Sequence, residues 1–159
     1  MTISPEALGF LTAGIQAEIA AYVFYRLGAE KISDQGVKTT MLHFAGEERK
    51  HFLTLEHQYD LHVRSEKWVT YRDIMNRDEL PLIDESMGDK HVQRIAQVKA
   101  AKSKSEILDI ALQLEKEAYE LYSKAAKVSK EEDVRKTFEY LSQFEMGHIK
   151  NVEGMMAAG

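Results

Sequence analysis

The sequence predicts an all-α fold, a four-helix bundle built from two repeated helical hairpins with one long crossover. The first observation is an internal repeat. Residues 16–56 align on 113–153 without a gap, pairing Gln16 with Gln113, Glu18 with Glu115, Tyr22 with Tyr119, Tyr25 with Tyr122, Glu48 with Glu145, His51 with His148 and Glu56 with Glu153. Apolar pairs such as Ile15 and Leu112, Phe24 and Leu121, and Phe44 and Leu141 keep their character, so the repeated unit is a packed supersecondary one. The second observation is composition: Ala, Leu, Glu, Lys and Gln dominate both copies and only Pro5 and Pro81 interrupt 159 residues, which favours long helices. The third is segment 65–102, which belongs to neither copy and is long enough to run the length of a bundle between hairpins.

Ser4-Pro5-Glu6 supplies an N-cap, a proline at the first helical position and an acidic first turn, so a first helix begins there and runs to about Lys31. Leu8, Leu11, Ile15, Ile19, Tyr22, Tyr25 and Ala29 give it an apolar face at helical spacing. A turn at Ser33-Asp34-Gln35-Gly36 leads to a second helix from about Val37 to about Val63, with Met41, Phe44, Glu48, His51, Phe52 and Leu55 turned inward. In the crossover, Trp68-Val69-Thr70-Tyr71 reads as briefly extended, Asn76 to Pro81 as loop, and Asp89 to Lys102 as a short amphipathic helix on Val92, Ile95 and Ala96. Ser103 and Glu106 have capping-box spacing ahead of Ile107, Leu108, Ile110, Ala111 and Leu112, which starts a third helix that reaches about Val128. After Ser129-Lys130-Glu131-Glu132 a fourth helix runs to about Val152 or a little further, with Glu131, Glu132 and Asp133 as its acidic start. The tail from Gly154 to Gly159, including Met155 and Met156, reads as frayed. One domain thus spans 1–159, with hairpins over about 4–64 and 103–156.

The repeat carries chemistry. Glu18, Glu48 and His51 recur 97 residues on as Glu115, Glu145 and His148. Each glutamate pair brackets its hairpin turn symmetrically, fifteen residues before and after Ser33 in one copy and Lys130 in the other, so antiparallel helices bring all four to one height. Each histidine follows its glutamate by three positions, one turn along the same face. A lone Glu-x-x-His is a common accident, but two in register with two upstream glutamates form the ligand set of a two-metal carboxylate bundle. Four carboxylates in one core would repel and take up protons without compensation, whereas two divalent ions balance them. Oxygen-rich ligation with one imidazole per ion suits iron, with manganese as the alternative, better than structural zinc.

Tyr25 and Tyr122 lie nearly two full turns beyond Glu18 and Glu115 and are candidates to hydrogen-bond the ligand carboxylates. Tyr22 and Tyr119 share that face and read equally well as core residues with a polar tip. His43, His57, His62 and His91 have no counterpart in the other copy and are assigned ordinary surface or core roles.

The net charge of −5 argues against a nucleic-acid partner, which needs a clustered basic surface. The N-terminus lacks the basic start and apolar core of a signal peptide, and no apolar run approaches the roughly 18 residues of a spanning helix. No membrane partner is therefore expected, and the default location is cytoplasmic. The absence of cysteine excludes thiolate metal sites within these residues, including a rubredoxin-type iron site, so electrons would come from outside.

The segments AEIAAYVFY with EERKHF, and LEKEAYELY with FEMGHI, resemble the rubrerythrin branch of the ferritin-like superfamily, over about residues 8–63 and 105–153. The resemblance is to bundle-only members without a rubredoxin domain. It implies a non-haem di-iron site, two iron ions per chain, in which Glu18 and Glu115 are terminal ligands, Glu48 and Glu145 bridge, and His51 and His148 each cap one iron. It implies an oxidoreductase that reduces peroxide or dioxygen with an external electron donor, and a homodimer to which the crossover or Trp68 contributes. The other readings of the same site are hydroxylation of a small organic substrate, and iron binding of the ferroxidase type without sustained catalysis. Cage storage is disfavoured, because no fifth helix fits in the eleven residues after His148. Peroxidase-type rubrerythrins carry a further glutamate three residues after the third-helix ligand. Here that position is Ala118, so a weaker preference for peroxide over dioxygen is expected.

Overall fold

A computed structural model describes residues 3–64 and 96–158. Among these the helices are α1 (Pro5–Lys31), α2 (Gln35–Tyr59) with a π-helical extension over Asp60–Arg64, α3 (Lys104–Val128) and α4 (Glu132–Ala157). Residues 96–100 are also helical. The readings placed on Trp68 to Tyr71, on Asn76 to Pro81, and on His91, Val92 and Ile95 fall outside the described residues.

Local chemistry sets the helix ends. The Ser4 hydroxyl accepts from the Ala7 N–H at 3.2 Å, ahead of Pro5. Asp34 caps α2 by accepting from the Val37 N–H, so that helix begins at Gln35, two residues before the expected Val37, and the turn contracts to Ile32 to Asp34. Ser103 caps α3 through the Glu106 N–H, while the Glu106 carboxylate accepts from the Lys102 N–H at 2.9 Å, a capping box displaced by one residue.

Two expectations need correction. The tail is not frayed: α4 continues to Ala157, because Met155 and Met156 pack against the core around Phe44 and Ile107 and give the last turn something to bury. And α1 is long and apolar enough to cross a membrane by length and composition, with mean hydropathy 1.4 over an 18-residue window. Its apolar residues are spread around the helix because α1 packs on both α2 and α3, and 44% of that window is buried inside the bundle. Such a helix is equally what a bundle core requires.

Contacts at the bundle's ends fix the topology. At one end the α1–α2 turn meets the start of α3, where Lys104 pairs with Asp34 at 3.3 Å and Lys31 donates to the Ala101 carbonyl at 2.9 Å. At the other end the Ser4 N–H donates to Glu131 at 3.0 Å, and His62 meets Asp133 at 2.7 Å. The end of α2 therefore lies beside the start of α4, a bundle's length from the start of α3. Helix pairs α1–α2 and α3–α4 form the hairpins, and α1–α3 and α2–α4 close the bundle.

The core has two apolar parts. One gathers Phe24, Tyr25, Met41, Phe44, Ile107, Leu108 and Val152. The other gathers Leu11, Leu55, Tyr122, Val134, Phe138 and Leu141. Each large side chain buried here stabilises the fold by about 1.5–3 kcal/mol. Met41 packs into the space that Gly28 leaves, where a Cβ would come within 2.6 Å of Met41 Cε.

Candidate metal centre

Between the two apolar parts lies a polar layer. Glu18 on α1, Glu48 and His51 on α2, Glu115 on α3, and Glu145 and His148 on α4 are all at most 3% exposed. They form two groups whose ligand atoms lie within 4.8 Å of one another: Glu18, Glu48, His51 and Glu145, and Glu48, Glu115, Glu145 and His148. Glu48 and Glu145 belong to both. Each group takes three residues from one hairpin and a glutamate from the other.

The imidazoles face this layer through Nδ1. His51 Nδ1 lies 3.2 Å from Glu145, 3.6 Å from Glu18 and 3.8 Å from Glu48. His148 Nδ1 lies 2.8 Å from Glu48, 3.2 Å from Glu115 and 3.3 Å from Glu145.

The tyrosines close the layer crosswise. The Tyr25 hydroxyl on α1 donates to Glu115 on α3, and the Tyr122 hydroxyl on α3 donates to Glu18 on α1 at 2.5 Å. Both rings are fully buried. Gly14 leaves room for the second contact, since a Cβ there would stand 3.1 Å from Tyr122 Cε1. Tyr22 is instead half-buried, accepts a hydrogen bond from Arg26 at 2.9 Å and packs on the core edge. Among the remaining histidines, His43 is exposed and pairs with Glu47.

The electrostatics are those of an under-compensated carboxylate cluster. Burial, followed by the charge of Glu48, raises Glu18 well above the usual carboxylate range, and burial with the charge of Glu145 does the same to Glu115. Burial and the charge of Glu18 would raise Glu145 too, but the close approach of Glu115, His148 and His51 holds it low. Burial alone would lower both imidazoles, yet the surrounding carboxylates outweigh it and push both far up. Burial, then the Glu115 charge at Tyr25 and the Glu18 charge at Tyr122, raises both phenols, so they remain donors.

A metal pair fits this donor set. Each of the four glutamates keeps one buried oxygen without a hydrogen bond: Glu18 Oε2, Glu48 Oε1, Glu115 Oε2 and Glu145 Oε2. Glu48 Oε1 is 2.8 Å from His148 Nδ1, but that contact lacks hydrogen-bond geometry. Buried polar atoms are normally satisfied, and four orphaned carboxylate oxygens facing two imidazole nitrogens are what hard divalent cations would complete.

The layer is reached from a cleft of about 260 Å³ between α1 and α3. Its lining includes Glu18, Glu48 and Glu115 at the inner end and Ala13, Ala17, Ala21 and Ala118 along the walls. One further residue had no signal in the repeat. Glu47 precedes a ligand but has no acidic counterpart, since the matching position is Phe144, and its Oε2 lies 3.2 Å from His148 Nε2.

Four antiparallel helices with one long return and a buried Glu/His layer define the class of ferritin-like carboxylate bundles. The family model for rubrerythrin matches residues 9–156, and the chain belongs to that family. A hypothetical protein from Pyrococcus furiosus has a similar solved structure, with a TM-score of 0.67 and 25% identity over 95% of this chain and 88% of that one. No curated protein matches the sequence significantly.

Proposed function

We propose that the six clustered residues hold two iron ions and that the protein is an oxidoreductase reducing peroxide or dioxygen with electrons from an external donor. The observation that carries this reading is the sharing of Glu48 and Glu145 between two otherwise separate ligand groups. One bridging carboxylate from each hairpin would hold the ions side by side. A reduced ion pair supplies two electrons, the number consumed when a peroxide O–O bond is cleaved to two waters with two protons.

The protein's own residues supply access and order. The alanine-walled cleft admits a small oxidant to the side of the cluster formed by Glu18, Glu48 and Glu115. Tyr25 and Tyr122 hold Glu115 and Glu18 in place by donating to them. Because the cleft wall at Ala118 carries no carboxylate, no seventh ligand from that position can approach. The mainly apolar lining of this cleft also favours a second reading, oxygenation of a small organic molecule seated there.

Elemental analysis after growth in ample iron should approach two ions per chain, and Glu48→Ala or Glu145→Ala should lose more than one. Stopped-flow mixing of the reduced protein with each oxidant tests the reaction. A weaker preference for peroxide over dioxygen than in peroxidase-type rubrerythrins is expected. A much faster, sustained reaction with peroxide would make it a peroxidase and overturn the expectation drawn from Ala118. Inertness to both would leave iron binding as the function.

A further inference from the structure

The surroundings of the two ligand groups differ, and the difference lies where the repeat breaks. His148 and His51 occupy matching positions, and both turn Nδ1 inward. Behind His148, Nε2 meets Glu47 Oε2 at 3.2 Å, and Glu47 Oε1 is itself paired with His43. The Phe44 ring stacks on the same imidazole at 4.1 Å between centroids. At the position matching Glu47 stands Phe144, which carries no acceptor; its ring meets the His51 imidazole edge-on at 4.4 Å and that of His148 at 5.2 Å. Among the described residues every carboxylate contact of His51 is made through Nδ1.

An imidazole that donates Nε2–H to a carboxylate is fixed in the tautomer whose Nδ1 lone pair is free for a metal, and it becomes a more basic ligand. Among the described residues no carboxylate reaches Nε2 of His51 to fix its tautomer in that way. Building on the metal reading above, we infer that Glu47 is a positioning residue for His148, and that it makes the ion position formed by Glu48, Glu115, Glu145 and His148 the tighter of the two. The position formed by Glu18, Glu48, His51 and Glu145 fills second and empties first.

Anaerobic titration of the metal-free protein with Co²⁺ tests this. Two steps separated by at least about tenfold are expected. Glu47→Leu should weaken the tighter step by about 10- to 100-fold and leave the weaker one in place. Glu47→Gln, which keeps an acceptor oxygen of the same shape, should fall between. A spectroscopic readout separates positioning from mere packing. In protein loaded with Zn²⁺ and labelled with ¹⁵N-histidine, one slowly exchanging Nε2–H should be visible and should vanish in Glu47→Leu. Two ions bound with equal affinity, or a Glu47→Leu titration matching that of the parent protein, would overturn the inference while leaving the metal centre intact. Failure to bind any ion would instead overturn the metal reading itself.

Discussion

Loading the metal-free protein with divalent ions should expel protons, and the structure sets how many. His51 and His148 are pushed far above the ordinary imidazole range, so both carry an extra proton at neutral pH and each must lose it to ligate through Nδ1. Glu18 and Glu115 are also raised, and each gives up whatever proton it holds. Filling the pair therefore releases between two protons, from the imidazoles alone, and four, with both carboxyls. Binding coupled to proton release tightens with pH. At about 1.4 kcal/mol per proton per pH unit, the pair gains about 3–6 kcal/mol for each unit of rising pH, or about 10- to 100-fold in affinity per ion. The assay is a titration with Co²⁺ in weakly buffered solution containing an indicator dye, checked by calorimetry in two buffers of different ionisation enthalpy. Release of fewer than two protons per pair would mean that the imidazoles do not both carry an extra proton without metal, and would refute the charge accounting.

The same groups fix how stability depends on pH. The metal-free native state binds more protons than the unfolded chain at these four sites, so its stability falls as pH rises above about 4.5, the ordinary carboxylate value, and continues to fall beyond 6.5, the ordinary imidazole value. Thermal melts should therefore show Tm dropping between pH 5 and 8 without metal, and with it rising up to about pH 6.5 and then levelling. A rise in both would contradict the shifts. Tyr122→Phe leaves Glu18 without its 2.5 Å donor and should cost about 2 kcal/mol, or about 4–8 °C in Tm, as read by calorimetry. Gly46→Ala meets nothing within 4 Å and should stabilise α2 by about 0.5–1 kcal/mol. Gly28→Ala, facing Met41 and Ile107 at 2.6 and 3.2 Å, should destabilise despite the same gain in helix propensity. Stabilisation by both would show that Met41 can swing clear.

The hairpins were legible because a duplicated pattern encodes its geometry twice. Equal arms about Ser33 and Lys130 were enough to bring Glu18, Glu48, Glu115 and Glu145 to one level, and caps at Ser4 and Ser103 announced two helix starts. What escaped was set by tertiary packing. Met155 and Met156 are helical because of a core that their own segment does not contain. The crosswise reach of Tyr25 to Glu115 and Tyr122 to Glu18 could not be told from contacts within one helix, because spacing reports the face a residue occupies and not which neighbour stands opposite. Glu47 was invisible for the opposite reason: the repeat that revealed its neighbours is absent at that position.

Each ion group draws three residues from one hairpin and one from the other, so half of this chain contains half of a site. A chain of one hairpin would complete it only by pairing with its twin, and two-fold symmetry would then force every change on both ions together. Covalent joining of the halves lifts that bond. A substitution can now fall on one side alone, as Glu47 opposite Phe144 does, and the two ligand groups become free to diverge.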